Sequence, residues 1–199
     1  MSSALFVLVC AACSDGGADL GPSATVGTAP VTTTSSPTVD PSVIPTDPTA
    51  IDEAYVQAVV DALFAVDAKA TKIFVETKDI TNEEALGYLR AIYVPEELDR
   101  QVNIWFQDLA LGGDELLPGV LENDVQRLID IAPDCLYVSV ESDYSAVTTR
   151  NSVMSMNYLG LTPKREGDDP QQLNPTTWML FMDGVNLDGS EPESPCEGR

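Results

Sequence analysis

Histidine is absent from all 199 positions of this sequence. Histidine is the usual general base near neutral pH and the commonest protein ligand of transition metals. Its absence excludes Ser-His-Asp catalysis, Cys-His catalysis and zinc sites that are ligated by imidazole. Since no other constellation of metal- or cofactor-binding residues stands out, we predict neither a metal site nor a cofactor.

Basic residues are scarce as well. There are 10 lysines and arginines against 32 aspartates and glutamates, which makes the formal net charge -22. The resulting negative field repels phosphate backbones, so we exclude nucleic acid as a partner. With 32 carboxylates in the chain, acid pairs at any chosen spacing arise by chance and carry no signal for a glycosidase. We therefore name no catalytic residue from the sequence.

The apolar run that opens the chain is short. Residues 4–12 form a block of nine apolar residues, which is too short to span a bilayer and typical of the apolar region of a signal peptide. The sequence Ala11-Ala12-Cys13-Ser14 that ends the block resembles the lipobox of bacterial lipoproteins. In that family, signal peptidase cuts just before a cysteine that becomes lipidated. The resemblance implies that residues 1–12 are a signal peptide and that Cys13 carries the lipid.

Three alternatives stay open for this segment: a plain secretory signal, a soluble apolar N-terminus, or a redox pair formed by Cys10 and Cys13. A redox Cys-X-X-Cys motif should follow a strand and open a helix inside a folded domain, whereas these cysteines precede a long polar run. If the chain is a lipoprotein, its lipid anchor binds the membrane and it lies on the extracytoplasmic face of the cell membrane. More than one acyl chain makes such an anchor stable.

A polar segment separates this region from the rest of the chain. Residues 14–50 consist mainly of Ser, Thr, Pro, Gly and Asp and contain no aromatic residue. Such a composition cannot bury enough apolar surface to offset the entropy lost on ordering. We predict a lipidated, disordered tether over residues 13–50 and one folded domain over 51–199.

The first part of the domain has helical periodicity. Apolar residues recur at a spacing of about 3.6 from Ile51 to Phe74, after a capping box at Thr49, and predict a long amphipathic helix. A second capping box at Thr81 predicts another helix. Pro95 ends that helix and starts a third, which the glycines at 112 and 113 end.

Beyond residue 120 the apolar period changes to two, which predicts about four antiparallel strands. In the last strand, Trp178, Leu180 and Met182 alternate with Met179, Phe181 and Asp183. Helices followed by a meander of strands predict an α+β fold with the helices covering one face of a curved sheet.

This order of elements, with its long first helix, resembles the NTF2-like (SnoaL-like, cystatin-like) superfamily as found in lipoproteins and secreted proteins of high-GC Gram-positive bacteria. The resemblance covers roughly residues 51–185 and depends on element order, so it implies a fold and not a chemistry. The superfamily includes ketosteroid isomerase-like enzymes, dehydratases, cyclases and non-catalytic binding modules. Its enzymes place an Asp or Glu base and a Tyr donor in a cone between helix and sheet.

Four large side chains are our candidates for lining such a cone, since their periodicity places them inward and Met156 is adaptable: Tyr55, Trp105, Tyr158 and Met156. The periodicity places no acid opposite them, so no base is named. Ordinary core packing explains the same residues.

The two late cysteines, Cys135 and Cys196, stand apart from the early pair. In an exported protein they predict a disulfide that pins the polar C-terminal tail to the sheet. The alternative is two free thiols.

Two functions follow from these patterns. The first is a non-catalytic binding or scaffold module for an apolar ligand or a partner protein. The alternative is a small isomerase- or lyase-type enzyme that uses an Asp or Glu base on an apolar substrate. A buried carboxylate with a raised pKa, opposite a tyrosine hydroxyl, would distinguish the enzyme from the binding module.

Overall fold

The computed structural model describes residues 39–112, 116–132, 134–149, 154–185 and 193–196. Within these ranges an α+β fold is present, with three α-helices followed by a four-stranded antiparallel sheet, as predicted. The helices are α1 (Glu53–Thr77), α2 (Glu83–Ile92) and α3 (Pro95–Gly112), and the strands are β1 (Glu122–Ala132), β2 (Cys135–Asp143), β3 (Met154–Pro163) and β4 (Trp178–Val185). None of the helices in the described ranges is long and apolar enough to cross a membrane.

The helices begin where side chains cap their free N–H groups. Asp52 accepts a hydrogen bond from the backbone N–H of Tyr55 at 2.9 Å, so α1 is capped by Asp52 and not by Thr49. Asn82 caps α2 in the same way, one residue after the predicted Thr81. Pro95 starts α3 as predicted, because its fixed φ suits the first helical turn.

The core lies between α1, α2 and one face of the sheet, whose strands follow the order β1-β2-β3-β4. In β2 the predicted alternation is present, because Leu136, Val138 and Val140 point at the helices whereas Cys135 and Tyr137 pack on the opposite face. In β3 it is Leu159 and Leu161 that point at the helices, and Tyr158 packs on the opposite face. The fully buried contributors include Val56, Val59, Leu63 and Phe74 from α1, Leu89 and Ile92 from α2, Leu136, Val138 and Val140 from β2, and Leu159 and Leu161 from β3.

The outer face of the sheet carries a second, smaller apolar cluster. A disulfide joins Cys135 to Cys196 across 61 residues, which confirms the predicted bridge. It packs with Tyr137, Tyr158, Phe181 and Met182. The bridge therefore holds part of the C-terminal tail against the face of the sheet that the helices leave uncovered.

The folded region starts further upstream than the predicted boundary at residue 51. Val39 and Ile44 are half-buried against the core, and the backbone N–H of Thr177 donates to the Pro41 carbonyl at 3.4 Å. The hydroxyl of Tyr55 donates to the Val43 carbonyl at 3.0 Å. Isolated apolar residues among Thr, Pro and Asp have no periodicity, so the sequence pattern could not separate residues 39–50 from a tether.

A β-bulge interrupts the pairing of β3 with β4. Leu161 lies opposite Leu180 and Gly160 opposite Met182, which leaves Phe181 as an extra residue. Phe181 and Met182 both pack on the outer-face cluster, so the alternation restarts and Asp183 points to the inner face. The predicted alternation, which placed Asp183 opposite in phase to Trp178 and Leu180, is therefore wrong after Leu180.

Gly160 makes room for this bulge. A Cβ built on Gly160 would lie 2.7 Å from the ring Cζ of Phe181 and 3.1 Å from the Cβ of Met182. Both distances are shorter than ordinary van der Waals contacts. A side chain at position 160 therefore competes with the arrangement that turns Asp183 inward.

We expect Gly160→Ala to destabilise the fold by about 1–3 kcal/mol, because the ring of Phe181 has to move out of its packed position. Gly87→Ala is the matched control, since a Cβ there meets nothing within 4 Å. In the interior of α2 it should stabilise by about 0.5–1 kcal/mol. Urea unfolding of both variants measures the difference; equal effects would mean that Gly160 is not needed for the bulge.

Candidate functional site

A cavity of about 500 Å³ opens between α1, α3 and the ends of β3 and β4. One part of its wall is apolar and comes from Phe64, Ile104, Trp105, Leu116, Leu121 and Val147. The other part is polar and includes Asp67, Thr71, Tyr93, Asn157 and Asp183. The cavity therefore has an apolar side and a polar end rich in hydrogen-bond acceptors.

Asp67 reaches the cavity from the buried stripe of α1. Phe64, Asp67, Thr71 and Phe74 follow at intervals of three, four and three residues, which places them on one helical face. Thr71 donates its hydroxyl to Asp67 Oδ2 at 3.3 Å. An acid thus occupies a position that the helix otherwise fills with apolar side chains.

Asp183 reaches the same cavity from β4 and meets Tyr93. Tyr93 follows α2 and is 3% exposed. The backbone of the next residue, Val94, donates to the Leu180 carbonyl at 2.9 Å, which fixes this segment against β4. The hydroxyl of Tyr93 donates to Asp183 Oδ2 at 3.2 Å. The short α2–α3 junction therefore presents a phenol to the carboxylate.

Burial changes the protonation of all three groups. It raises the pKa of Asp67 to about 7, and the charge of Asp183 adds to this, although the nearby hydroxyls of Thr71 and Tyr93 oppose it. Burial also raises the pKa of Asp183 to about 6, with Glu97 adding to the rise and Arg100 opposing it. The pKa of Tyr93 is raised well above its ordinary value, again mainly by burial. At neutral pH, Tyr93 is therefore a donor, and the two acids lie close to their titration points.

The nearest cation is already paired. Arg100 binds the buried carboxylate of Glu97 through Nε at 2.9 Å and Nη2 at 2.5 Å, and Gln101 donates to the same carboxylate at 2.8 Å. In the described part of the chain, no lysine or arginine forms an ion pair with Asp67 or Asp183. The two acids thus keep most of their capacity to accept hydrogen bonds.

A chain of polar side chains reaches the cavity from the sheet. The amide nitrogen of Asn157 donates to Ser142 Oγ at 2.6 Å and to the Tyr144 hydroxyl at 2.8 Å. Ser142 in turn donates to Asn123 Oδ1 at 2.5 Å. Among the described residues, no donor reaches Asn157 Oδ1, although Asn157 is only 2% exposed. A buried acceptor in the cavity wall therefore lacks a partner, which is costly unless a ligand or water supplies one.

The four candidate lining residues lie in different places. Trp105 borders the cavity and packs against Phe74, with ring centroids 5.8 Å apart. Tyr55 lies in the core, where its hydroxyl accepts from Trp178 Nε1 at 2.8 Å. Tyr158 lies on the outer face, and Met156 is 45% exposed. The structure therefore brings only Trp105 of the four to the cavity, because on β3 the inward residues are Ser155 and Asn157.

Sequence reasoning missed the polar residues of the site. A signal for Asp67 was present, because an Asp and a Thr interrupt the apolar stripe of α1 at helical spacing. Asn157 shares the parity of Leu159 and Leu161, whereas the candidates chosen from this strand, Tyr158 and Met156, have the opposite parity. Asp183 had no such signal, since its direction depends on the bulge opposite Gly160.

A second cavity of about 500 Å³ lies beside Asp61, Asp124, Glu141 and Asp143. Within the described ranges, no group of three or more acidic or cysteine side chains is arranged to hold a metal ion. Cys13, the predicted site of lipid attachment, lies outside the described residues.

Comparison with known proteins identifies no relative. No protein-family model, no curated protein and no solved structure matches this chain. Its function is therefore inferred from the geometry of the cavity.

We expect Asp67→Asn to change how stability depends on pH. Because the pKa of Asp67 is raised to about 7 in the folded state, the folded state binds this proton more tightly than the unfolded state. The stabilisation that comes from protonated Asp67 is therefore lost as pH rises from about 4 to about 7. The variant lacks this loss, so its stability relative to the wild type should increase by roughly 1–3 kcal/mol over that range.

The control is Asp99→Asn, which removes one charge from an exposed position on α3. Its difference from the wild type should stay nearly constant with pH. Urea unfolding at several pH values compares the three proteins, and parallel profiles for the two variants would contradict the raised pKa of Asp67.

Proposed function

We propose that this protein is an exported lipoprotein whose domain binds a small, partly apolar molecule in the cavity between α1, α3 and the sheet. The observation that carries this proposal is the cavity itself. Its volume of about 500 Å³ and its division into an apolar wall and a polar end are typical of small-molecule sites. An ordinary core would fill this space with side chains.

Export is supported by two features: the sequence around Cys13 and the disulfide between Cys135 and Cys196. The lipobox-like sequence at Ala11-Ala12-Cys13-Ser14 is the expected context for lipid attachment to Cys13. The bridge between Cys135 and Cys196 agrees with an oxidising compartment, because such bonds are rare in the cytosol. On this proposal the residues between Cys13 and Val39 tether the domain to the extracytoplasmic face of the membrane.

We further propose that the domain is an NTF2-like cone. Three helices precede a four-stranded antiparallel sheet in the described ranges, and the cavity lies between the long first helix and the inner face of that sheet. This arrangement is the one that the resemblance implied. It supports a ligand site inside the cone more than a scaffold with a filled core.

A second candidate function is acid–base catalysis of the isomerase or lyase kind. The specific observation in its favour is that Asp183 accepts from the Tyr93 hydroxyl, with Asp67 beside them. A carboxylate whose pKa lies near neutral pH accepts and returns a proton efficiently. In this proposal Asp67 is the base. Tyr93, which donates its one proton to Asp183 in the structure, turns that proton to the substrate oxygen on which charge develops.

The binding proposal predicts that the neutral dye N-phenyl-1-naphthylamine becomes fluorescent in the wild-type cavity. Val147→Trp should weaken dye binding by about tenfold or more, because the indole occupies the apolar part of the cavity. Ile131→Trp is the matched control, since Ile131 is 40% exposed and lies outside the cavity. Equal dye binding by both variants would contradict the proposed site.

The anchoring proposal predicts that cells expressing the full chain incorporate a radioactive fatty acid into it. Cys13→Ala should abolish the label and release the protein from the membrane fraction, because the lipid is attached to that thiol. Cys10→Ala serves as the control and should keep both the label and the membrane location. Labelling that survives Cys13→Ala would contradict this attachment site.

A further inference from the structure

We propose that the molecule bound in this cavity carries a protonated amine on an apolar body, so that the polar end of the cavity is an ammonium site. This inference depends on the proposed binding function and specifies its ligand class. It is carried by three features of the cavity: its surplus of acceptors, its unpaired negative charge and its aromatic wall. The residues that supply these features come from α1, α3, β3 and β4.

The hydrogen bonds that link Asn123, Ser142 and Asn157 determine which atom of Asn157 lacks a partner. Asn123 donates to the Leu121 carbonyl at 3.4 Å, which leaves its Oδ1 to accept the proton of Ser142. Ser142 has only that one proton, so it accepts from the amide nitrogen of Asn157. The carbonyl oxygen Oδ1 of Asn157 is therefore left in the cavity wall without a donor from the described residues.

The carboxylates add further acceptors at the same end. From the described side chains, Asp67 receives a hydrogen bond from Thr71 and Asp183 receives one from Tyr93. An ionised carboxylate accepts about four hydrogen bonds in favourable geometry. An ammonium group has three N–H donors and no acceptor, so it matches this set. A hydroxyl group supplies only one proton.

The charge of the cavity favours a cation over a neutral or anionic group. Arg100 also lines the cavity and lowers the pKa of Asp183, but its ion pair is with Glu97. Asp67 and Asp183 form no ion pair with a lysine or arginine among the described residues. Above pH 7, where both acids are mostly ionised, an anionic ligand would add a third negative charge beside them. The net charge of -22 makes the surrounding field attractive to cations as well.

The apolar wall indicates what the amine is attached to. Trp105, Ile104, Leu121 and Val147 lie on the wall of the same cavity as the acids. Such a surface binds hydrocarbon or an aromatic ring through burial of apolar area. An indole such as that of Trp105 also attracts a nearby cation through its π face. A small aromatic or aliphatic amine therefore matches both parts of the cavity.

Ligand charge also makes binding sensitive to pH. The groups that face the two acids are Tyr93, Glu97 and Arg100, with Tyr144 at the edge of the cavity. An ammonium beside Asp67 and Asp183 favours their ionised forms, so binding releases protons. Affinity should therefore rise as pH increases from about 5 to about 8, where alkylamines stay protonated.

Calorimetry with three ligands of similar shape tests the inference on the full chain. Tryptamine is a cation, tryptophol carries a neutral hydroxyl and indole-3-acetate is an anion. For the wild type near pH 8, we expect tryptamine to bind about tenfold or more tightly than tryptophol, with indole-3-acetate weakest. The preference for tryptamine should decrease near pH 5, and tryptamine binding should release protons in buffers of different ionisation enthalpy.

Variants locate the effect within the cavity. Asp183→Asn and Asp67→Asn keep the side-chain shape and should each remove most of the preference for tryptamine while tryptophol binding changes little. Asp99→Asn is the control and should behave as the wild type, because Asp99 is exposed on α3. If either cavity variant fails to fold, the test uses the wild type alone: the preference for tryptamine over tryptophol should be smaller near pH 5 than near pH 8.

The outcomes separate this inference from the binding proposal. Equal affinity for tryptamine and tryptophol would overturn the ammonium site and leave the cavity as a general apolar site. Failure of tryptamine to bind while N-phenyl-1-naphthylamine binds would also overturn only the ammonium site. If the dye does not bind either, the proposed binding function itself fails.

Discussion

The extra residue in β4 opposite Gly160 is the constraint on which the candidate site depends. Before the bulge, Trp178 and Leu180 point into the core; after it, Asp183 points into the cavity. Without the extra residue the same strand would turn Asp183 to the outer face, beside the disulfide, and Met182 inward. A Cβ at position 160 would crowd Phe181 and Met182, so the glycine favours the register that turns Asp183, and not Met182, into the cavity.

Because the bulge turns Asp183 inward, the fold has to bury two carboxyl groups near each other, which is unfavourable. Two acids face one cavity, and their burial and mutual repulsion favour the neutral forms. Tyr93 and Thr71 offset part of this through hydrogen bonds, and the Glu97–Arg100 pair provides a second, self-contained charge balance close by. A chain with apolar residues at positions 67 and 183 would not have this unfavourable electrostatic contribution to folding. Buried acids with raised pKa values are typical of functional sites.

Much of the fold could be predicted from the sequence because it depends on local periodicity. The apolar stripe of α1, the proline that starts α3 and the alternation in β2 each act over a few residues. The disulfide was also predictable, since only two cysteines remain after the early pair. Residues 39–50 were not, because Val39 and Ile44 obtain their burial from distant parts of the chain.

The site was less predictable than the fold for a related reason. Its residues come from α1, the α2–α3 junction, β3 and β4, and only the tertiary structure brings these together. Asp67 and Asn157 are in phase with buried apolar residues of the same element. They were missed because the helices and strands were predicted from the spacing of apolar residues alone. The direction of Asp183 depends on a mismatch between two paired strands, which no single-strand pattern contains.

The attachment of residues 39–44 to the domain has a mechanical consequence. Any pull on the chain upstream of Val39 enters the domain where Pro41 binds Thr177 and where Val43 binds Tyr55, whose hydroxyl also holds the indole of Trp178. Tension is thus delivered to the first residues of β4. Asp183 lies five residues further along that strand, roughly 17 Å away. The hydrogen bonds of Pro41 and Val43 therefore place the mechanical attachment point at the start of β4, at the opposite end of the strand from Asp183.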